Sequence, residues 1–339
     1  MPEAQAAELK PEVEASCVVC GGAARELICS AADVRAQNDY RYRFHRRRLR
    51  PARERRGENA LADRAEFTQD YITDIVGCLD CGLLLRDPRP RASAVLAAYR
   101  HDEYGAQRLA ALFDAQLQTF RIKARGLQRY LTSPRPFVVE VGSFVGGFLA
   151  AAQELGWQAV GLDPGAEVDE FCRAKGLQVY RTVAEQAPIE PASVDCVAIW
   201  NTFDQLPDPR PTLAAARRWL RPGGTLVLRV PNGSAFRGAM RLRRVLPFDT
   251  PLLTALAWNN LLGFPYLYGY AAAALDRLLA DFAFTRRALQ PDTLVRLADQ
   301  ETTTWGAWEE RLLKTLWGAA ASFDPDIAPW FDAYYACAE

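Results

Sequence analysis

Histidine is almost missing from this chain, with His45 and His101 the two examples in 339 residues. Both precede the segment where strand and helix signals alternate, so an imidazole base is not expected there. Charge of one sign is also missing, since 41 Lys plus Arg balance 41 Asp plus Glu. That balance excludes a chain-wide electrostatic footprint for nucleic acid or an anionic membrane. There is no long hydrophobic run. The most apolar stretch, Ala255 to Phe284, is broken by Asn259, Asn260, Gly263, Pro265 and Asp276, which excludes an uninterrupted membrane helix. The opening MPEAQAAELKPEVEAS is acidic and has no apolar core. No secretory signal is expected there, and the expected compartment is the cytoplasm.

Thiols stay reduced in that compartment, so the eight cysteines are expected as ligands or core residues rather than disulfides. Their placement is uneven. Cys17 and Cys20 form CVVC, Cys78 and Cys81 form CLDC, and each pair is followed by glycine. Two such knuckles supply four thiolates, which suits tetrahedral zinc with no open position for substrate. The alternative is a set of redox or buried cysteines. Cys29 has no paired neighbour and reads as a packing residue. Between the knuckles runs RYRFHRRRLRPARERR, Arg41 to Arg56, with nine arginines. It reads as a solvated excursion or a docking surface, and its interleaved aromatics admit a phosphate-backbone grip as the competing reading.

A helical stretch follows, with Leu109, Phe113, Leu117, Phe120, Leu127 and Leu131 on one face, stopped at SPRP. From Phe137 strands and helices alternate: FVVEVG, FLAAAQELG, QAVGLD, EVDEFCRAKG, LQVY, VDCVAIW, PRPTLAAARRWL and GTLVLRV. Short, near-continuous apolar strands between helices predict a parallel sheet covered on both faces, an α/β fold. The division expected is 12–104 for the cysteine module with its arginine-rich insertion, 105–235 for the α/β core with its leading helix, and 236–339 for a lid and the completion of the core. The aromatic stretch Trp258 to Tyr270 reads equally as a lid over a pocket or as core. Trp305, Trp308, Trp317, Trp330, Tyr334 and Tyr335 read as core or as a subunit contact.

The first strand-to-helix turn, VVEVGSFVGGFLAAA, carries Gly142, Gly146 and Gly147, with Phe144 where a middle glycine commonly stands. A helix N-terminus behind such a turn presents free amides to a ligand. Glu140 precedes the turn, and Asp163 ends the second strand, where a carboxylate can accept from ribose hydroxyls. The glycine spacing departs from Gly-x-Gly-x-x-Gly. An acid ahead of the turn suits an amine better than a pyrophosphate. Both points favour a cationic ligand without phosphates.

With these residues the run from Phe137 to Asn232 resembles the class I S-adenosylmethionine-dependent methyltransferases, through VEVGSFVGG, Asp163, VDCVAIWNTFDQLPDP and LRPGGTLVLRVPN. The N-terminal half, through CGLLLRDPRP and the tyrosine-bearing helix, resembles the zinc-binding module that precedes some small-molecule and sugar C-methyltransferases. The resemblance implies a Rossmann-like, mostly parallel seven-stranded sheet, a small four-cysteine zinc-ribbon-like module and a helical, aromatic-rich C-terminal cover. It implies S-adenosylmethionine held by Gly142, Phe144, Gly146 and Gly147, with Glu140 toward its amino group, Asp163 at the ribose, Val183 and Ala184 about the adenine, and Tyr104 closing over it. It implies structural zinc on Cys17, Cys20, Cys78 and Cys81, and a small natural-product or sugar-like acceptor.

The chain departs from the family in one more place. Where relatives often carry histidine after the fourth strand, this chain has Gln205 in FDQLPDP, beside Asp204. Glutamine cannot take a proton at neutral pH. The expectation is therefore mainly positional catalysis by Asn201, Asp204 and Gln205, with Tyr268 poising the acceptor. Two competing expectations are a non-catalytic cofactor-binding scaffold and an RNA-directed enzyme using Arg41 to Arg56. Oligomeric state is not readable from these patterns.

Overall fold

The computed structural model describes residues 11–12, 16–50, 72–100, 104–246, 248–264, 266–292 and 302–338. The central sheet is assembled from β4 (Phe137–Val141), β5 (Gln158–Leu162), β6 (Val179–Tyr180), β7 (Val194–Trp200), β8 (Leu220–Pro231), β10 (Phe284–Asp292) and β11 (Trp330–Cys337). Its seven strands lie in the order β10-β11-β8-β7-β4-β5-β6. The pairs β4/β5, β4/β7, β5/β6 and β7/β8 are parallel, whereas β11 runs antiparallel to both β8 and β10. The sheet is therefore mostly parallel, as the alternation of strands and helices predicts. Val138, Val139, Val197, Ala198, Ile199, Val227 and Leu228 are all buried, because helices cover both faces and leave these strand surfaces no contact with water.

Helices α3 (Ala106–Leu127), α4 (Gly147–Glu154), α5 (Ala166–Ala174), α6 (Arg210–Trp219) and α9 (Ala272–Ala280) make those layers. The expected apolar face of α3 is the one that packs: Leu109, Phe113, Phe120 and Leu127 are buried against α4 and the sheet. Proline in the first turn of α6 sits where its missing N–H costs nothing.

A second, antiparallel sheet joins β1 (Arg25–Cys29), β2 (Asp74–Cys78) and β3 (Leu84–Asp87) to β9 (Tyr268–Gly269), in the order β9-β3-β2-β1. The edge strand thus comes from the segment that the sequence places in the C-terminal part. The aromatic stretch is core and not an open lid. Trp258, at the end of α8 (Thr250–Trp258), is buried, and so are Leu261, Leu262, Phe264, Tyr268 and Tyr270. Backbones cross closely here. A Cβ on Gly233 would lie 2.5 Å from the Gly269 carbonyl oxygen, so α7 (Gly233–Val245) can start against β9 only with glycine.

The described part of the arginine-rich run is structured and solvated in part: Arg43, Arg46, Arg47 and Arg50 are exposed. Its first residues belong to α1 (Ala31–Arg46), capped by Ser30, whose hydroxyl accepts from Asp33 N–H. Arg41, Phe44, His45 and Arg48 are buried. Arg48 makes two bonds to Glu309, at 2.6 and 2.9 Å, and its guanidinium lies 3.7 Å from the Phe44 ring centroid. The interleaved aromatics thus take up arginine within the chain, and what they stack on is protein. Residues 51–56 of the run lie outside the described residues.

Buried Arg86 closes the seam between β3 and the segment leading into β9, donating Nε to the Tyr266 carbonyl at 2.6 Å and Nη2 to the Gly263 carbonyl. Removing it strands both carbonyls and opens a cavity. Arg86→Ala is expected to cost about 3 kcal/mol or more, read as a lower urea midpoint with an unchanged m-value. An unchanged midpoint would show that the seam does not depend on it.

Candidate active site

The turn after β4 is built by crossed hydrogen bonds. The amides of Gly142 and Ser143 both donate to the Leu162 carbonyl, at 2.8 and 3.1 Å, which draws the ends of β4 and β5 together. Space is short around the glycines. A Cβ on Gly142 would collide with Thr202, one on Gly146 with Leu177 and Cys172, and one on Gly147 with Gln116. These glycines let β4 and α4 approach the neighbouring loop and helices, and leave the turn's backbone as the surface available to a ligand.

Phe144 adopts φ +44°, a left-handed conformation that costs a bulky residue on the order of 1–3 kcal/mol. Three contacts hold it there. Its N–H donates to Asp163 Oδ2 at 2.9 Å, its carbonyl accepts from the Cys172 thiol at 3.3 Å, and its ring meets Tyr104 edge-on at 5.1 Å between centroids. Tyr104 is itself fixed, because its amide and that of Gly105 donate to Glu167 at 2.6 and 2.8 Å. Asp163 also accepts from Gly165 N–H at 2.9 Å. Val183, half-buried, and Ala184, buried, follow β6 on the turn Ala184–Gln186. The structure therefore gathers Glu140, the turn, Tyr104 and Asp163 around the ends of β4 and β5, with Val183 and Ala184 just beyond β6.

Glu140 is buried, and its Oε2 has no hydrogen-bond partner among the described residues. Burial, reinforced by the negative charge of Asp163, holds its carboxyl well above the usual carboxylate range. A cation entering this corner would relieve both effects.

The loop after β7 forms the facing wall. Asn201 has φ +56°, and its side-chain oxygen accepts from Arg229 Nη1. Gln205 donates to the Asn201 carbonyl and accepts from the hydroxyl of Tyr99, on α2 (Ala92–Arg100), so its amide is held from both ends. Asp204 is fully buried, and neither of its carboxylate oxygens has a partner among the described residues. Burial pushes its pKa up to about 7, against the weaker opposing pull of Arg229. Tyr268 is placed differently from the expectation. Its hydroxyl donates to the Pro207 carbonyl at 2.7 Å and accepts from Arg89, and burial pushes its pKa up to about 12. Both bonds tie it into the seam between the sheets, so it is a scaffold residue.

Sequence patterns missed a buried charge network behind this loop. Arg229 Nε donates to Asp292 at 2.7 Å, and Lys123 Nζ donates to Asp292 at 2.7 Å and to Asp332. The Arg229 guanidinium lies 4.4 Å from the Trp330 ring centroid. A signal was present: Arg229 is the lone charge inside GTLVLRV, and Asp332 the lone charge inside WFDAYYAC.

In the module, Cys17, Cys20, Cys78 and Cys81 bring their sulfurs within 4.8 Å of one another. Cys17 and Cys81 are 3.6 Å apart and Cys20 and Cys78 3.5 Å, close to the edge of about 3.8 Å of a zinc tetrathiolate with bonds of about 2.3 Å. The two knuckles repeat one geometry. Gly21 N–H donates to the Cys17 carbonyl and Gly82 N–H to the Cys78 carbonyl, at 2.8 and 3.0 Å, with φ +73° and +79° at the glycines. Cys29 is buried beside Gln37, as a packing residue.

Residues 139–228 match a family described as a methyltransferase domain. The matched region carries the turn, Asp163, the loop after β7 and most of β8. It is a class I S-adenosylmethionine-dependent methyltransferase domain. This methyltransferase domain is similar to the ubiquinone biosynthesis O-methyltransferase of Methylococcus capsulatus, 29% identical over 154 residues, covering 40% of this chain and 65% of that protein. The enzyme of the same description from Xanthomonas campestris is 31% identical over 130 residues, covering 34% of this chain and 54% of that protein. The chain thus spans between half and two-thirds of the length of these relatives. A solved geranyl diphosphate C-methyltransferase from Streptomyces coelicolor is 15% identical, with a TM-score of 0.41 over 72% of this chain and 86% of that one.

The Asp204 environment has a stability consequence. The folded protein keeps this proton up to about pH 7, while the unfolded chain releases it near 3.8. The folded state therefore binds more protons between those values, and stability falls as pH rises through that window. Asp204→Asn removes the penalty. Its gain in Tm over the parent is expected to be larger at pH 8 than at pH 5; equal gains would show that Asp204 titrates normally.

Proposed function

We propose that the protein transfers a methyl group from S-adenosylmethionine to a small natural-product or sugar-like acceptor. The observation that carries this reading is the acid pair Glu140 and Asp163 beside the turn: one Glu140 oxygen lies buried without a partner among the described residues, in a corner suited to a cationic, phosphate-free ligand. When bound, the cofactor supplies an electrophilic methyl carbon on a sulfonium. Glu140 would neutralise its amino group, Asp163 would accept from the ribose, and the turn amides from Gly142 to Gly147 would line the methionine end. Phe144 and Tyr104 would exclude water above it, with Val183 and Ala184 about the adenine.

On the facing wall Asn201 and Gln205 would orient the acceptor. Asp204 would take its proton, because a carboxyl titrating near neutrality is matched to a general base at cellular pH. The buried network behind Asn201 fixes that wall, so positioning is the larger part of the rate. Arg41 and Arg48 are buried within the chain, which leaves the RNA-directed reading the exposed Arg43, Arg46, Arg47 and Arg50 among the described residues. Four converging thiols kept as metal ligands would fit a cytoplasmic location.

Titration calorimetry with S-adenosylhomocysteine is expected to show one site per chain, weakened at least about tenfold by Asp163→Ala. Absence of binding would overturn the proposal. Once an acceptor is in hand, the rate is expected to rise with pH to a plateau above about 7, from Asp204. Because that limb falls where an imidazole would also titrate, Asp204→Asn decides its origin: the variant should lose the limb and most of kcat while binding S-adenosylhomocysteine as the parent does.

Zinc on Cys17, Cys20, Cys78 and Cys81 would be structural, with all four positions filled by thiolate. Elemental analysis is expected to give one zinc per chain. Cys78→Ser should lose the metal and lower Tm. Metal-free parent protein with unchanged Tm would remove the assignment.

A further inference from the structure

The last helix, α10 (Thr304–Phe323), is polar on the wrong side. Its charges point inward: Glu309 binds Arg48 and accepts from Trp258 Nε1 at 2.7 Å, and Glu310 pairs with Lys314 at 2.6 Å with both side chains at most 10% exposed. Its large apolar residues point outward, with Trp305 51%, Trp308 68%, Leu312 54%, Leu316 59% and Phe323 92% exposed. Along the whole helix Arg311 is the single exposed charged residue. An ordinary surface helix shows the reverse arrangement.

The five side chains expose roughly 600 Å² of apolar surface, the upper end for a monomer's largest patch and close to the roughly 800 Å² per partner of a stable interface. Their order along the helix selects the occupant. Positions equidistant from residue 314 match in kind: Trp305 with Phe323 and Leu312 with Leu316. At 100° per residue Trp305 and Phe323 share one azimuth, opposite residue 314, and stand about 13 Å above and below it. Leu312 and Leu316 flank the same line near its centre, and Trp308 and the exposed Ala319 share one flank, below and above it. A two-fold axis through that face reverses height and keeps each flank against the same flank, so it sets Trp305 against Phe323, Leu312 against Leu316 and Trp308 over the small, exposed Ala319 of an identical helix. We infer that α10 is the interface of an antiparallel, two-fold symmetric homodimer. A lipid surface fits less well, since an interfacial helix carries lysines and arginines along its border, and Arg311 stands alone.

Sedimentation equilibrium on the full chain is expected to give twice 37.8 kDa at about 10 µM. Leu312→Arg and Leu316→Glu, each alone, should weaken association about thirtyfold or more, since each buries an unpaired charge. Mixing the two variants should restore a dimer containing one of each, because the new charges then face one another. Both positions are exposed, so far-UV circular dichroism should match the parent. If either variant misfolds, the parent still decides: Trp305 and Trp308 emission should shift to the red on dilution through dissociation. A parent monomeric at that concentration, a dimer indifferent to both substitutions, or a monomer that co-sediments with phosphatidylcholine/phosphatidylglycerol vesicles through this face would each overturn the inference.

Discussion

The guanidinium of Arg229 fixes the end of the central sheet where the candidate site lies. From a central strand it reaches Asn201 on one side and Asp292 on the other, while Lys123 closes the circuit through Asp292 and Asp332. One charge group thus joins the leading helix, three strands of the sheet and the loop that faces the cofactor corner. Buried ions of this kind add little net stability over apolar packing, yet breaking one partner leaves a stranded charge. Their contribution here is geometric. They anchor the side chain of Asn201, which stands in the left-handed region, and Asn201 in turn accepts from Gln205 through its carbonyl.

Two buried acids then divide the site between them. Glu140 lies under the negative charge of Asp163 and is driven toward its neutral form, a strain that a positively charged ligand relieves. Asp204 lies buried on the facing loop and titrates near neutrality. One corner is thus prepared for a cation and the opposite wall for a proton. In the proposed reaction these two environments at one end of the sheet would hold the sulfonium compound and take the acceptor's proton without histidine.

Much of this was legible in the residues. Alternating apolar strands and helices pointed to the parallel sheet, and the acids flanking a glycine turn to the corner. Two cysteine pairs with trailing glycines pointed to the converging thiols. What escaped had no local signature. The 268–269 strand is too short for period-two alternation, and its partner lies some 180 residues earlier. Arg48 looked solvent-borne because composition cannot reveal that Glu309 waits for it, just beyond the end of α1. Tyr268 looked available because its hydroxyl partners, Pro207 and Arg89, meet it only through the tertiary fold. Non-local pairing, and not weak propensity, set the limit.

The late arrival of that short edge strand also orders events on the ribosome. Both cysteine knuckles and β1 to β3 emerge early, but β3 gains its partner at Leu84 and Leu85 only when Tyr268 and Gly269 leave the exit tunnel. During synthesis of the whole first run of the parallel sheet, the module presents a bare strand to its surroundings. Early capture of a metal by the four thiols would close the knuckles during that interval. The nascent chain would then hold a preformed half-template on which the final third docks, rather than a sticky fragment awaiting it.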